Sequence, residues 1–340
     1  MRAVRPLTVS TALVAGLALA ACGSDRGPYD EPRAAGYPVS VKSCDRTVTV
    51  RDRPTRIVSL NQGTTEILLS LGLADRMAGT ATWTDPVLPS LAKDNRGVER
   101  LADNAPSLEA VLDQDPDLVT ASFTGTLTKG GVASAETFAG YDVPAYLSPA
   151  ECGKAEEGNT DGTRVGTLQT DTIYQEVRDL ATLTGTEKAG DALVSRLKER
   201  MAKASTKLDR KVRVAYWFAN SESPYMAGCC GGPGITSRAL GVENVFADQR
   251  GEWPQISWEV VADRDPDVIV LGDLTRRSQT AETAKAKIAY LEKNPVTRQM
   301  SAVRNKRYVF LAGAELNPSI RTVDATEKVG RGLRDLGLAD

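Results

Sequence analysis

Two stretches decide the fold: SLEAVLDQDPDLVT, Ser107–Thr120, and SWEVVADRDPDVIV, Ser257–Val270. They align without a gap at an offset of 150 residues and share seven of fourteen positions. Each opens on a serine placed to cap a helix, with a glutamate in the first turn, where the helix dipole favours a negative charge. Asp-Pro-Asp then stops the helix, because a residue before proline is pushed out of the helical region. An apolar, largely β-branched run follows, the pattern of a strand buried on both faces of a parallel sheet. One helix–turn–strand design used twice predicts an α/β chain of two similar lobes.

The flanking sequence fits that plan. RIVSL (Arg56–Leu60), RMAGTA (Arg76–Ala81), Val143–Leu147, Lys211–Phe218 and Arg307–Leu311 read as strands. GTTEILLSLGL, Gly234–Leu240, Ala281–Leu291 and a segment from about Ser319 to Leu336 read as helices. Strands alternating with helices imply parallel sheets covered on both faces. Between the halves, Thr170–Leu208 is helical throughout, with Gly185 as a break. Its second part, from Glu187, carries Leu193, Val194, Leu197 and Met201 on one stripe. At ~1.5 Å per residue it would span roughly 33 Å, long enough to bridge two lobes as a strut.

Before the first lobe, Arg2 and Arg5 precede an apolar run ending in Leu19-Ala20-Ala21-Cys22. A charged start, a short apolar segment and small residues at its end describe a secretory signal, and the run is short for a membrane span. LAAC resembles a lipobox, so Cys22 is the expected lipidated first residue of the mature chain, followed by a polar tether. The expected organisation is therefore signal 1–21, tether and N-terminal segment 22–54, first lobe 55–168, helical region 169–208 and second lobe 209–340. In that oxidising setting Cys44, Cys152, Cys229 and Cys230 admit three pairings. Cys44 with Cys152 and Cys229 with Cys230 is the expected one. Free thiols at 229 and 230, or bridges from them to the other two, stay open.

Composition removes several functions. The 340 residues carry a formal net charge of −2 and no histidine. No large positive field favours nucleic acid. Ser-His-Asp and Cys-His catalysis and any His-ligated metal site are excluded within this chain. A dithiol enzyme using Cys229-Cys230 is the alternative from a different class, although catalytic dithiols usually have two residues between the cysteines. A lipid-anchored hydrolase lacks a nucleophile elbow.

In order along the chain, RIVSLNQGTTEILLSLGLADRMAGT, LEAVLDQDPDLV, the long helix, GVENVFAD, EWPQISWE and DPDVIVLGD resemble the substrate-binding proteins of ABC importers for siderophores, haem and vitamin B12. The resemblance runs from about Arg56 to Leu336. It implies two Rossmann-like lobes joined by a single long helix, a ligand cleft between them, modest closure and no enzymatic step. The implied partners are an ABC permease dimer and, as ligand, a ferric siderophore first and a corrinoid second. Haem is the weakest choice, with Tyr225 as a conceivable ligand to iron. No cofactor, metal ligand set or nucleic acid is implied; a monomer held at the outer membrane face by its lipid is.

Cleft groups are expected in loops at the carboxyl ends of strands. Those loops carry Asn61, Gln62, Trp83, Phe123, Asn220, Tyr225, Trp253 and Arg321. The resemblance places Trp83, Phe123, Trp253 and Arg321 at the ligand, the arginine because its fork suits carboxylates or a chelate's anionic oxygens. It assigns Glu66 and Glu259 to projecting positions that pair with permease arginines. Cys229-Cys230-Gly231-Gly232 falls where relatives approach the ligand and departs from their pattern.

Overall fold

The computed structural model describes residues 34–155, 162–205, 208, 210–275 and 282–340. The signal segment, Cys22 and the tether up to Arg33 lie outside them, as does Ala281, the expected start of one helix. The described chain begins with an antiparallel hairpin, β1 (Val39–Ser43) and β2 (Arg46–Val50), with Val39 opposite Val50. Its alternation turns Val41, Val48 and Val50 inward, where they join the core of the first lobe. The N-terminal segment ahead of the first lobe thus joins the folded body through this hairpin.

The first lobe follows: β3 (Ile57–Ser59), α1 (Gln62–Ser70), β4 (Met77–Ala81), β5 (Arg100–Ala102), α2 (Leu108–Leu112), β6 (Leu118–Ala121) and β7 (Ala145–Leu147). Its sheet has the order β5-β4-β3-β6-β7 with every pair parallel. A short antiparallel pair, β8 (Lys154–Ala155) with β9 (Thr163–Arg164), leads to α3 (Thr170–Thr184) and α4 (Glu187–Ala204). The second lobe comprises β10 (Arg213–Trp217), α5 (Gly232–Leu240), β11 (Glu243–Asn244), α6 (Trp258–Arg264), β12 (Val268–Asp273), α7 (Ala284–Lys293), β13 (Tyr308–Ala312) and α8 (Arg321–Asp335). Its sheet, β11-β10-β12-β13, is also parallel throughout.

The repeat is structural. Ser107 accepts a hydrogen bond from the Ala110 N–H at 3.2 Å, and Ser257 starts α6 from the same extended backbone without that bond. Asp115 and Asp265 both take the left-handed conformation, with φ of +46° and +33°. The second aspartate of each motif then pins the first strand of its lobe. Asp117 accepts from the Thr55 and Arg56 N–H groups at 2.6 and 3.0 Å, and Asp267 accepts from the Arg213 N–H at 2.9 Å. In return, the Asp117 and Asp267 N–H groups donate to the carbonyls of Arg56 and Arg213 at 3.1 and 2.8 Å. The DPD sequence is therefore a strand-register clamp made twice.

The helical connection is broader than a lone rod. Gly185 ends α3 with φ +63°, a conformation open to glycine at little steric cost. α4 stops at Ala204, so it spans about 27 Å and not 33. It lies against α3 and α8, and Arg200 pairs with Asp324 and Glu327 at 2.7 Å each. The lobes also meet directly. The core of the first lobe includes Ile235, Ile320 and Val323 from the second. At β9 the Arg164 N–H donates to the Arg250 carbonyl at 3.1 Å, and the Leu168 N–H donates to that of Cys230 at 3.0 Å.

Candidate functional site

Each sheet reverses its strand order once, between β3 and β6 in the first lobe and between β10 and β12 in the second. Open parallel sheets bind ligands outside the carboxyl ends of their strands at such reversals. In the first lobe this point is built by Asn61, at the start of α1, whose Oδ1 accepts from the Ser122 N–H at 2.8 Å. The Ser122 hydroxyl in turn accepts from the Thr64 N–H at 3.0 Å. Gly63 is required between them, since a Cβ there would lie 2.7 Å from the Ser122 Oγ and 3.6 Å from the Ser319 Cβ of the other lobe. Helix start, strand end and opposite lobe thus converge within van der Waals distance.

A polar latch crosses this seam. Arg321 donates to Glu66 through Nε at 2.7 Å and Nη2 at 2.5 Å, and to the Pro86 carbonyl at 2.7 Å. Glu66 also accepts from Gln62 Nε2 at 3.1 Å and the Leu88 N–H at 3.0 Å. Gln62 Oε1 accepts from the N–H groups of Thr84 and Asp85, fixing the loop after β4. That loop makes the second crossing: Asp85 Oδ2 accepts from the Ala314 N–H at 2.6 Å. Burial pushes the Asp85 carboxyl above its ordinary range, while the Ala314 bond and Arg321 pull it back. The cavity between the lobes here is about 20 Å³, room for about one water, with Phe123, Thr84 and Asn317 among its walls. A larger guest can enter only if the lobes part along this seam. Hollows of about 730 and 1020 Å³ flank the N-terminal hairpin instead, on the first lobe.

A second buried charge cluster lies where β8 and β9 reach the other lobe. Arg164 donates to both carboxylate oxygens of Glu252, at 3.0 and 2.8 Å, and to the Ala150 carbonyl at 2.5 Å. Lys154 lies 2.9 Å from both Glu151 and Glu252. The cysteines pair Cys44 with Cys152, Cα atoms 5.0 Å apart, and Cys229 with Cys230, 3.6 Å apart. Cys230 is buried beside the Thr167 hydroxyl, where the segment between β9 and α3 touches the second lobe.

The eight expected cleft residues divide. Gln62, Phe123 and Arg321 line the interlobe cavity, and Asn61 is buried directly behind it. Trp83 and Trp253 do not line it. Trp83 is 5% exposed, lies under the Arg100 guanidinium at 4.7 Å and donates from Nε1 to Thr80. Trp253 is 5% exposed and stacks on Phe218 within the core of the second lobe, ring centroids 5.1 Å apart. Asn220 adopts φ +66° and closes a turn by accepting from the Glu222 and Ser223 N–H groups. Tyr225, half-buried, packs on that same core and pairs its backbone with Gln255. Arg321 faces the seam, but Glu66 and Pro86 take up its fork.

Glu66 requires a further correction. It is 1% exposed and does not project from the lobe, because α1 turns it toward Arg321. Glu259, in the first turn of α6, is exposed. Sequence reasoning missed Asp85, Arg164 and Glu252, whose partners lie in the other lobe, and Lys287, buried in α7. Only Asp85 carried a local signal, its place before Pro86 in a loop after a strand.

The model of the Periplasmic binding protein family matches residues 57–314. Among curated proteins, the chain is 27% identical over 305 residues to the uncharacterized ABC transporter substrate-binding lipoprotein YvrC of Bacillus subtilis, covering 87% of this chain and 86% of that one. It is 26% identical over 303 residues to a cobalamin-binding protein of Halobacterium salinarum, covering 87% and 74%. A periplasmic binding protein of Veillonella parvula superposes with a TM-score of 0.76 at 24% identity, covering 88% and 99%.

Proposed function

Because the chain belongs to the periplasmic binding protein family, we propose that it is the extracytoplasmic solute-binding component of an ABC importer, holding a metal chelate between its lobes. The observation that carries this reading is the seam itself. Two parallel sheets turn the carboxyl ends of their strands toward one another, and the contact between them is polar and divisible, with Arg321–Glu66 and Asp85–Ala314 as its links. A binding role needs such a seam and no nucleophile.

A corrinoid is the first ligand reading, supported by the curated relative whose name is cobalamin-binding protein. A ferric siderophore is the second. Both arrive with the metal already chelated, so neither asks the protein for metal ligands, and the described residues contain no cluster of three or more His, Cys, Asp or Glu fit to hold an ion. The protein acts as a carrier and not as an enzyme; Cys230, 1% exposed, is poorly placed to meet a protein disulfide substrate. It is held at the membrane through lipidated Cys22, works as a monomer and presents Glu259 to the permease.

The test is native mass spectrometry of the purified mature chain with cyanocobalamin and with ferrioxamine B, checked by titration calorimetry. One-to-one binding of one probe, competed by the same probe unlabelled, is expected. Absence of binding to both, with ordinary thermal unfolding of the protein, sinks the proposal.

A further inference from the structure

We propose that Lys287 is a positioning residue for the ligand cleft: its ammonium joins the strand ends at the reversal point of the second sheet and so sets the loop Phe218–Tyr225, which leaves β10 at its carboxyl end. The proposal rests on the reading above that the ligand enters between the lobes.

Lys287 is a lysine on the inner face of α7, 0% exposed. Its Nζ donates to the Phe218 carbonyl, just past β10, and to the Gly272 carbonyl on β12 at 2.6 Å. These are the two strands between which the sheet order reverses, the place where an open α/β sheet ordinarily receives a ligand. In this lobe a side chain of the protein fills it. The ammonium also lies 5.1 Å from the centre of the Trp217 ring.

The loop that begins at Phe218 is tied from several sides. Trp217 Nε1 donates to the Ala219 and Asn220 carbonyls at 2.9 and 3.3 Å, and Trp258 Nε1 donates to that of Ser221 at 2.7 Å. Glu282 accepts from the Ser221 N–H at 2.9 Å. Phe218 stacks on Trp253, and the Tyr225 N–H returns to the Ala219 carbonyl at 3.0 Å. Lys287 is the member that ties this loop to the neighbouring strand. Gly272 packs closely on Leu316, since a Cβ there would lie 2.9 Å from it, and Leu316 precedes the wall residue Asn317. Displacing the Lys287 contacts therefore moves both the loop and the seam-lining turn.

The charged groups that face Lys287 are Glu282, before α7, and Asp273, at the end of β12. Burial lowers the ammonium to about 8 against the pull of both carboxylates. Its charge should therefore change within an accessible range, close to two tryptophans.

The experiment compares wild type, Lys287→Met and Glu282→Gln. Ligand-free tryptophan emission is followed from pH 6.5 to 9.5, hydrogen exchange is measured for residues 218–225, and the Kd is measured for whichever of cyanocobalamin or ferrioxamine B the wild type binds. Wild type should show an emission midpoint near pH 8. Glu282→Gln should lower that midpoint, which tests the contact even if Lys287→Met folds poorly. Lys287→Met should abolish the midpoint, speed exchange in 218–225 selectively and weaken binding about tenfold, the loss expected for charge-assisted bonds. An unchanged midpoint in Glu282→Gln, or wild-type exchange in Lys287→Met, overturns the proposal. Wild type binding neither probe refutes the function of the cleft separately, and the ligand-free arms still decide the Lys287 contact.

Discussion

Replacing Arg321 by methionine removes the guanidinium but keeps the aliphatic stem, so the lost interaction is electrostatic. The three bonds it makes, at 2.7, 2.5 and 2.7 Å, all cross from the second lobe to the first. Glu66 would be left 1% exposed without its cation. Breaking a buried pair from one side costs about 3–5 kcal/mol, mostly for the charge left behind. Here the protein has an alternative to paying that in full. The lobes can separate along the seam and let water reach Glu66, so the loss is capped by the cost of opening. We therefore expect Arg321→Met to lose about 3 kcal/mol by urea unfolding, or roughly 4 °C in Tm for a chain of this size. Its radius of gyration by small-angle scattering should rise at the same time. Glu66→Gln with Arg321→Met should lose less than the two single changes added together, with a coupling of about 2 kcal/mol. Additivity within about 0.5 kcal/mol, with wild-type scattering, would refute the latch.

Three other outcomes follow from the same structure. Glu176, 1% exposed on α3, holds its proton up to about pH 8, chiefly because burial disfavours the carboxylate, with Ser148 opposing and Asp179 and Glu151 adding to the shift. Since the native state keeps a proton that the unfolded chain releases near its ordinary value, stability falls as pH rises through the window from about 4.5 to 8. Glu176→Gln should match wild type at pH 4.5 and exceed it in Tm at pH 8; parallel curves across that window would contradict the burial argument. Asp117→Ala and Asp267→Ala should each cost about 2 kcal/mol in urea unfolding by freeing strand-start N–H groups, and the absence of a deficit in either would mean the clamp is not shared by the lobes. Replacing both Cys44 and Cys152 by serine opens a loop of 108 residues and should cost about 4–5 kcal/mol in a chain-entropy model, read as a fall in the urea midpoint under oxidising conditions.

The place of Phe123 and Gln62 on the seam was legible because strand ends in parallel sheets point one way, and the sequence shows where a strand ends. The tryptophans were not. Trp83 follows β4 and Trp253 lies in the loop before α6, yet an aromatic ring in such a loop can turn to the core or to the cleft, and burial of its large apolar area favours the core. Trp253 finds Phe218, which lies 35 residues earlier in the chain, and Trp83 finds Arg100 on the neighbouring strand.

Local chemistry in the sequence determined the lobes. Helix starts at Ser107 and Ser257, the breaks before each proline and the β-branched runs behind them are set within a few residues; only the second aspartate of each turn reaches further, to a strand start 54 to 62 residues back. The tertiary structure alone decided what the charges do. Glu66 meets an arginine 255 residues away, and Lys287 sits among the apolar residues on the buried face of its helix, under two carbonyls. The worth of a charge depends on the dielectric and the partners around it, and both are set only when the lobes close over one another.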